Sequence, residues 1–295
     1  MAGDGPREPP GTGSTVEVSV RRVAAGARQD AADAIAVEEP LEIRIGFPDA
    51  PAAGPSRSLL VTMRTPGDDE VLARGFLFAE GLVQEADDVL GFVTGDPAEG
   101  RGNVLQVNLP WALQERFAGA GRAFYTTSAC GVCGKASLEA LRARARYAVA
   151  DDELRVPPSV VLGLPAALAA RQPAFAATGG LHAAALFTPG GVILDTREDV
   201  GRHNALDKLI GAALRDGRLP LAGLGIVVSG RASFELVEKA RMAGCPLLVA
   251  VGAPSSLAVE AAWDCGMTLA GFLRGGRFNI YAAPARITDT LLQDG

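Results

Sequence analysis

The chain has little with which to cross a membrane, staple itself with disulfides or coat a nucleic acid. No apolar run among its 295 residues approaches the roughly 20 that a membrane helix needs. The first 13 residues are rich in Gly and Pro and hold no apolar core of a secretion signal. Four cysteines in so long a chain make no disulfide framework, which suits a reducing, cytoplasmic setting. A net charge of -6 argues against a broad nucleic-acid surface, although a local basic pocket stays compatible with it. There are only two histidines and no internal repeat. What is present is ordinary globular material, 48% hydrophobic and 21% charged, enough for one large core or two moderate ones.

The pattern of elements changes along the chain. Residues 16–20, 42–45, 58–64 and 104–109 read as short strands. Asp68, Asp69 and Glu70 suit the positive end of a helix that carries Val71, Leu72, Phe76 and Leu77 and stops near Gly81. Pro157-Pro158 marks a boundary or the first turn of a helix to about 171, and Pro189-Gly190-Gly191 lies between two strands as a hairpin signal. Beyond residue 202 the order is helix, strand 224–229, helix 234–242, strand 246–251, helix 255–264, strand 267–273. The strands are nearly pure apolar runs, too short for helices, so they predict a mostly parallel sheet with helices on its faces. The expected division is a disordered tail (1–14), a β-rich portion forming either a sheet extension or a small lobe (15–120), a mobile cysteine loop (121–136), an α/β core (137–285) and a C-terminal tail (286–295).

The densest chemical signal is Thr126-Thr127-Ser128-Ala129-Cys130-Gly131-Val132-Cys133-Gly134-Lys135. Flanking glycines leave the thiols able to reach a partner, and the Lys135 ammonium favours the reactive thiolate over a thiol of ordinary pKa near 8.5. The two-residue spacing admits a redox dithiol, half of a zinc site or a sulfur carrier. Zinc requires a second ligand pair, and Cys245, Cys265, His182 and His203 are not paired at ligand spacing. Cys245 and Cys265 read as small buried hydrophobes.

Other candidates cluster at predicted element ends. His182 and His203 each sit beside glycines, a placement suited to a pocket, although a lone histidine is more often structural. Ser229, Gly230 and Arg231 follow a buried strand and open a helix, where backbone N–H groups and a guanidinium bind anions. Ala253-Pro254-Ser255-Ser256 occupies the equivalent place after the next strand, and simple capping by Ser explains either loop taken alone. Phe272, Leu273, Arg274, Gly275, Gly276 and Arg277 suit a nucleotide base and phosphates, or make a charged hairpin turn. Ala184 stands where the H-x-E of zinc deaminases carries its glutamate, which disfavours deamination.

Tyr125 through Lys135 closely resembles the signature of the FdhD family, the formate dehydrogenase accessory sulfurtransferases. Gly179-Gly180-Leu181-His182, Glu198-Asp199-Val200-Gly201-Arg202-His203-Asn204-Ala205-Leu206-Asp207-Lys208 and Ser229-Gly230-Arg231-Ala232-Ser233-Phe234-Glu235 follow in that family's order. The resemblance implies a homodimer with a three-layer α/β/α fold like that of cytidine deaminases. It implies a sulfurtransferase that takes sulfur from a cysteine desulfurase as a persulfide on Cys130, with Cys133 secondary. The sulfur then passes to the molybdenum cofactor, bis(molybdopterin guanine dinucleotide), before insertion into formate dehydrogenase. The guanine-nucleotide end maps to residues 272–277. Two rivals are a cofactor-binding chaperone that moves no sulfur and a thiol-disulfide oxidoreductase.

Overall fold

The computed structural model describes residues 13–52, 54–95, 102–117 and 146–288. It opens with an antiparallel ribbon of β1 (Thr15–Ala24) and β2 (Ala27–Ala36). Next come β3 (Glu39–Gly46), β4 (Arg57–Arg64), helix α1 (Asp69–Ala79), β5 (Gly91–Thr94) and β6 (Val104–Asn108). The four strands form a separate sheet in the order β4-β3-β6-β5. The β-rich portion is therefore a small lobe, not an extension of the main sheet. Alternation along β3 sends Leu41, Ile43 and Ile45 into the core.

The remaining elements are α2 (Pro158–Ala169), α3 (Pro173–Thr178), β7 (His182–Phe187), β8 (Ile193–Asp199), α4 (Arg202–Arg215), β9 (Gly225–Val228), α5 (Phe234–Met242), β10 (Leu247–Ala250), α6 (Ser256–Cys265), β11 (Thr268–Arg274) and β12 (Arg277–Ala282). Six strands align in the order β12-β11-β10-β9-β7-β8, with β9, β10 and β11 parallel and the pairs β11–β12, β9–β7 and β7–β8 antiparallel. The sheet is mixed where a mostly parallel one was expected, because hairpins add strands at both sides of the parallel centre. Alternate residues of these strands enter different cores. Ala184, Leu186, Ile226, Val228, Leu248 and Leu269 join a cluster with α4, α5 and α6. Ala183, Ala185, Phe187, Val227, Val249 and Ala270 pack with Val161, Leu164 and Leu168 of α2. Helices on both faces of one sheet give the expected three-layer α/β/α order.

The small lobe joins this body through α1 and α4, whose backbones touch. A Cβ on Gly75 would lie 1.8 Å from the Asp207 carbonyl oxygen, and one on Gly211 would lie 1.9 Å from that of Val71. Only hydrogen at both positions permits the crossing. Deep in the interface, Asp207 receives Lys239 of α5 at 2.7 and 3.0 Å, and the Lys239 ammonium sits 5.6 Å above the Phe76 ring.

At the other end, the tail expected from residue 286 does not begin there. Arg286 and Ile287 are buried. The Arg286 guanidinium donates to the carbonyls of Val149, Ala150, Asp152 and Gly266 and to the Thr268 hydroxyl. Its own carbonyl accepts from the amide of Val156 at 2.8 Å. A terminal Pro-Ala-Arg stretch looks like surface in one dimension because three of the carbonyls that need its guanidinium, those of Val149, Ala150 and Asp152, lie over a hundred residues away in sequence.

Gly→Ala inside a helix ordinarily gains about 1 kcal/mol in propensity. Gly75→Ala and Gly211→Ala are expected to reverse that sign and cost about 3 kcal/mol, since the clashing atoms are backbone. Urea unfolding of each variant, read as a fall in midpoint at unchanged slope, checks this.

Candidate functional site

Because β9, β10 and β11 are parallel, the loops that leave them emerge at one edge of the sheet, where open α/β sheets bind ligands. Backbone hydrogen bonds lace those loops together. The amide of Gly252 donates to Gly230 O at 2.9 Å, that of Phe272 to Gly252 O at 2.9 Å, and that of Ser255 to Ala232 O at 3.0 Å. Gly252 sits so tightly that a Cβ there would meet Gly230 O and the Arg231 amide at 3.0 Å. The three loops singled out in the sequence thus form one surface, and they differ in what they do. Ser255 caps α6, its Oγ accepting from the Ala258 amide at 3.3 Å. Ser229 is spent on the sheet, its Oγ accepting from the Ala183 amide at 2.9 Å. Ser233 stands at the N-cap of α5 but its side chain makes no cap bond.

Ser233 turns instead toward His203 and Glu235. His203 Nε2 lies 3.1 Å from both Ser233 Oγ and Glu235 Oε2, and Ser233 Oγ donates to Glu235 Oε2 at 3.0 Å. A carboxylate only accepts, so Nε2 carries the hydrogen. A serine nucleophile needs its base on a nitrogen that accepts, with the acid on the other nitrogen. Serine and acid here share one donating nitrogen, so this trio is a binding and orienting cluster. The hydrogen bond from His203, together with its charge and the Ser233 hydroxyl, holds the Glu235 carboxyl down to about 2.

His182 opens β7 and lies against Gly230, where a Cβ would come within 3.3 Å of Nδ1. Burial, then the nearby Arg202 guanidinium and His203, push this imidazole below its ordinary value. Both influences favour its neutral form. Arg202 begins α4 beside it, and its Nε is buried without a hydrogen-bond partner.

The loop carrying Arg202 and His203 is fixed from beneath by Asp199 and Lys208, both almost wholly buried and 2.8 Å apart. Asp199 also accepts from the amides of Gly201 (2.8 Å) and Thr65 (3.2 Å) and from Asn204 Nδ2 (3.1 Å). Lys208 donates to Thr65 O at 3.0 Å. Asn204 reaches Met63 O at 2.7 Å. Glu198 holds the start of α3 by accepting from the amides of Ala174 and Phe175. Among residues 198–208, the acids, the amide and the lysine serve the frame, and Arg202 and His203 face the edge. Arg202, Ser233 and Glu235 were not singled out from sequence, since nothing in linear order shows that the starts of α4 and α5 meet.

The 272–277 segment is a hairpin turn. Gly275 and Gly276 both have positive φ, as a type I′ connection between β11 and β12 requires. Before the turn, a break in register puts Phe272 at φ 59. Its ring carries the Arg274 guanidinium at 3.9 Å and that of Arg277 at 5.8 Å. Phe272, Arg274 and Arg277 so offer an aromatic face and two cations, while Leu273 is buried in the α2 core.

Cys130, Cys133 and Lys135 lie outside the described residues. Cys245 is fully buried, and burial pushes its thiol up to about 12. Burial also raises Cys265. Neither is suited to form a thiolate.

Comparison with known proteins matches a model of the FdhD/NarQ family to residues 36–288. The chain is 49% identical over 273 residues to the sulfur carrier protein FdhD of Streptomyces avermitilis, covering 91% of this chain and 94% of that one. It is 47% identical over 283 residues to the protein of the same name from Mycobacterium tuberculosis, covering 93% and 99%. In structure it is similar to a crystal structure described as that of a formate dehydrogenase accessory protein from Desulfotalea psychrophila. The TM-score is 0.69 at 23% identity, over 93% of this chain and 99% of that one, a likeness of fold.

Asp199→Ala is expected to cost about 3–5 kcal/mol by leaving Lys208 buried and unpaired, and adding Lys208→Met should regain most of it; chemical denaturation of both variants decides this. For Glu235, whose value is depressed from 4.5, the linked stabilisation is complete above 4.5 and lost as pH falls through about 2. Carbon-detected NMR titration should place the Glu235 midpoint near 2, moving toward 4.5 in His203→Gln.

Proposed function

The chain belongs to the FdhD/NarQ family, and from that premise we propose that it is a sulfur carrier serving formate dehydrogenase. The names of its relatives support that general role. In finer terms, the Cys130 thiolate attacks the outer sulfur of a persulfide on a cysteine desulfurase. One S–S bond forms to Cys130, the donor's S–S bond breaks, and the donor cysteine leaves as thiolate. Cys133 assists the later release. The acceptor is the molybdenum cofactor in its bis(molybdopterin guanine dinucleotide) form, a substrate that goes on to apo-formate dehydrogenase in the cytoplasm.

What carries this reading is the meeting of cationic and aromatic groups at one sheet edge. Arg202, the His203 cluster, Arg231 and the Phe272 hairpin with Arg274 and Arg277 gather where three strand-end loops are laced together. A large anionic ligand with guanine nucleotides suits that surface. A two-fold dimer would offer two equivalent pockets to the two halves of such a ligand. The same edge suits a chaperone that holds the cofactor without moving sulfur, and the cysteines separate the two.

Intact-protein mass spectrometry after incubation with a cysteine desulfurase and free cysteine provides the test. Wild type is expected to gain one sulfur atom that reductant removes, and Cys130→Ala to gain none. No gain in wild type, with the desulfurase active, would replace the carrier with the chaperone.

A further inference from the structure

We propose that Arg202, flanked by His182, is the subsite that receives a phosphate-type oxyanion of the ligand, apart from the Phe272 hairpin. This rests on the reading that an anionic, nucleotide-bearing ligand occupies the sheet edge. Three basic positions lie close together, His182 at the start of β7 and Arg202 and His203 at the start of α4, and the fold treats them differently. His203 already has an anion, because Glu235 and Ser233 fill its Nε2. His182, desolvated and beside a guanidinium, is held toward its neutral form and lies against the Gly230 turn as a hydrogen-bonding group. Arg202 is the cation left over. Its Nε is buried without a partner, and among the described residues no carboxylate pairs with it. Glu235, the acid that feels its charge, is bonded elsewhere.

A guanidinium without its carboxylate, next to an imidazole held toward its neutral form, matches the fork that recognises phosphate oxygens bidentately. The surroundings support that use. Ser233 leaves the first amides of α5 without a side-chain cap, and Gly201 does the same for α4. Negative charge is favoured at both helix starts. Gly230 brings a backbone turn against His182, at a distance that a side chain would crowd. Arg274 and Arg277, by contrast, already lie over Phe272 and suit the planar part of a ligand.

The test is isothermal titration of the full chain with inorganic pyrophosphate and, separately, with GDP, at fixed ionic strength. Wild type, Arg202→Gln, Arg202→Lys and Arg274→Gln are compared. Pyrophosphate affinity is expected to fall at least about tenfold in Arg202→Gln, less in Arg202→Lys, and little in Arg274→Gln. Pyrophosphate should also shift the His182 ring signals in wild type but not in Arg202→Gln. Equal pyrophosphate binding by wild type and Arg202→Gln overturns the subsite, as does wild type that binds GDP but not pyrophosphate. Wild type that binds neither overturns the nucleotide reading itself. Arg202→Lys, which keeps the charge at the helix start, carries the comparison if Arg202→Gln melts early.

Discussion

At the crossing of α1 and α4, two glycines let main chain touch main chain. That contact sets how near the small lobe sits to the α/β body, and α4 is also the helix whose first residues are Arg202 and His203. Through it, the end of β4 is close enough for Met63 and Thr65 to bond Asn204 and Lys208 in the first turns of α4, and for Thr65 to bond Asp199 before it. A wider crossing would withdraw those partners and leave Asp199 and Lys208 short of the bonds that offset their desolvation. The position of the site therefore depends on an interface that contains none of its residues.

Charge is divided by depth. Asp199 with Lys208, Asp207 with Lys239, and Arg286 with its ring of carbonyls are buried and bonded, so they act as joints between elements distant in sequence. The arginines at the sheet edge are treated differently. Arg202 has an N–H without a partner, and Arg274 and Arg277 rest on an aromatic ring. Buried ion pairs are weak sources of stability but strict about geometry, and strict geometry is what a loop presenting Arg202 and His203 needs.

Much of the architecture was legible in one dimension. The apolar runs at 224–229 and 246–251 contain β9 and β10, each one residue shorter at either end, and α5 follows the 234–242 pattern to the residue. The ribbon strand β2 and the edge strand β5 have no apolar alternation that would mark them in the sequence, whereas β12 does alternate through Phe278, Ile280 and Ala282 but is short and follows directly on the charged turn. Arg286 looks like tail in one dimension, since carbonyls carry no sequence signature of the cation they bind. Of the site, the histidines and the Phe272 hairpin were visible as odd residues beside glycines. The trio of His203, Ser233 and Glu235 was not, for it spans two helices that meet only in the fold.

The sequence by itself determined the class of fold, the order of the core strands and the family, because hydrophobic period and local motifs are properties of neighbours in the chain. Only tertiary structure decided which charged residues are joints and which face a ligand. Burial and pairing depend on what lies across a gap in space, and the residues across that gap from Asp199 and His203 are Thr65 and Glu235.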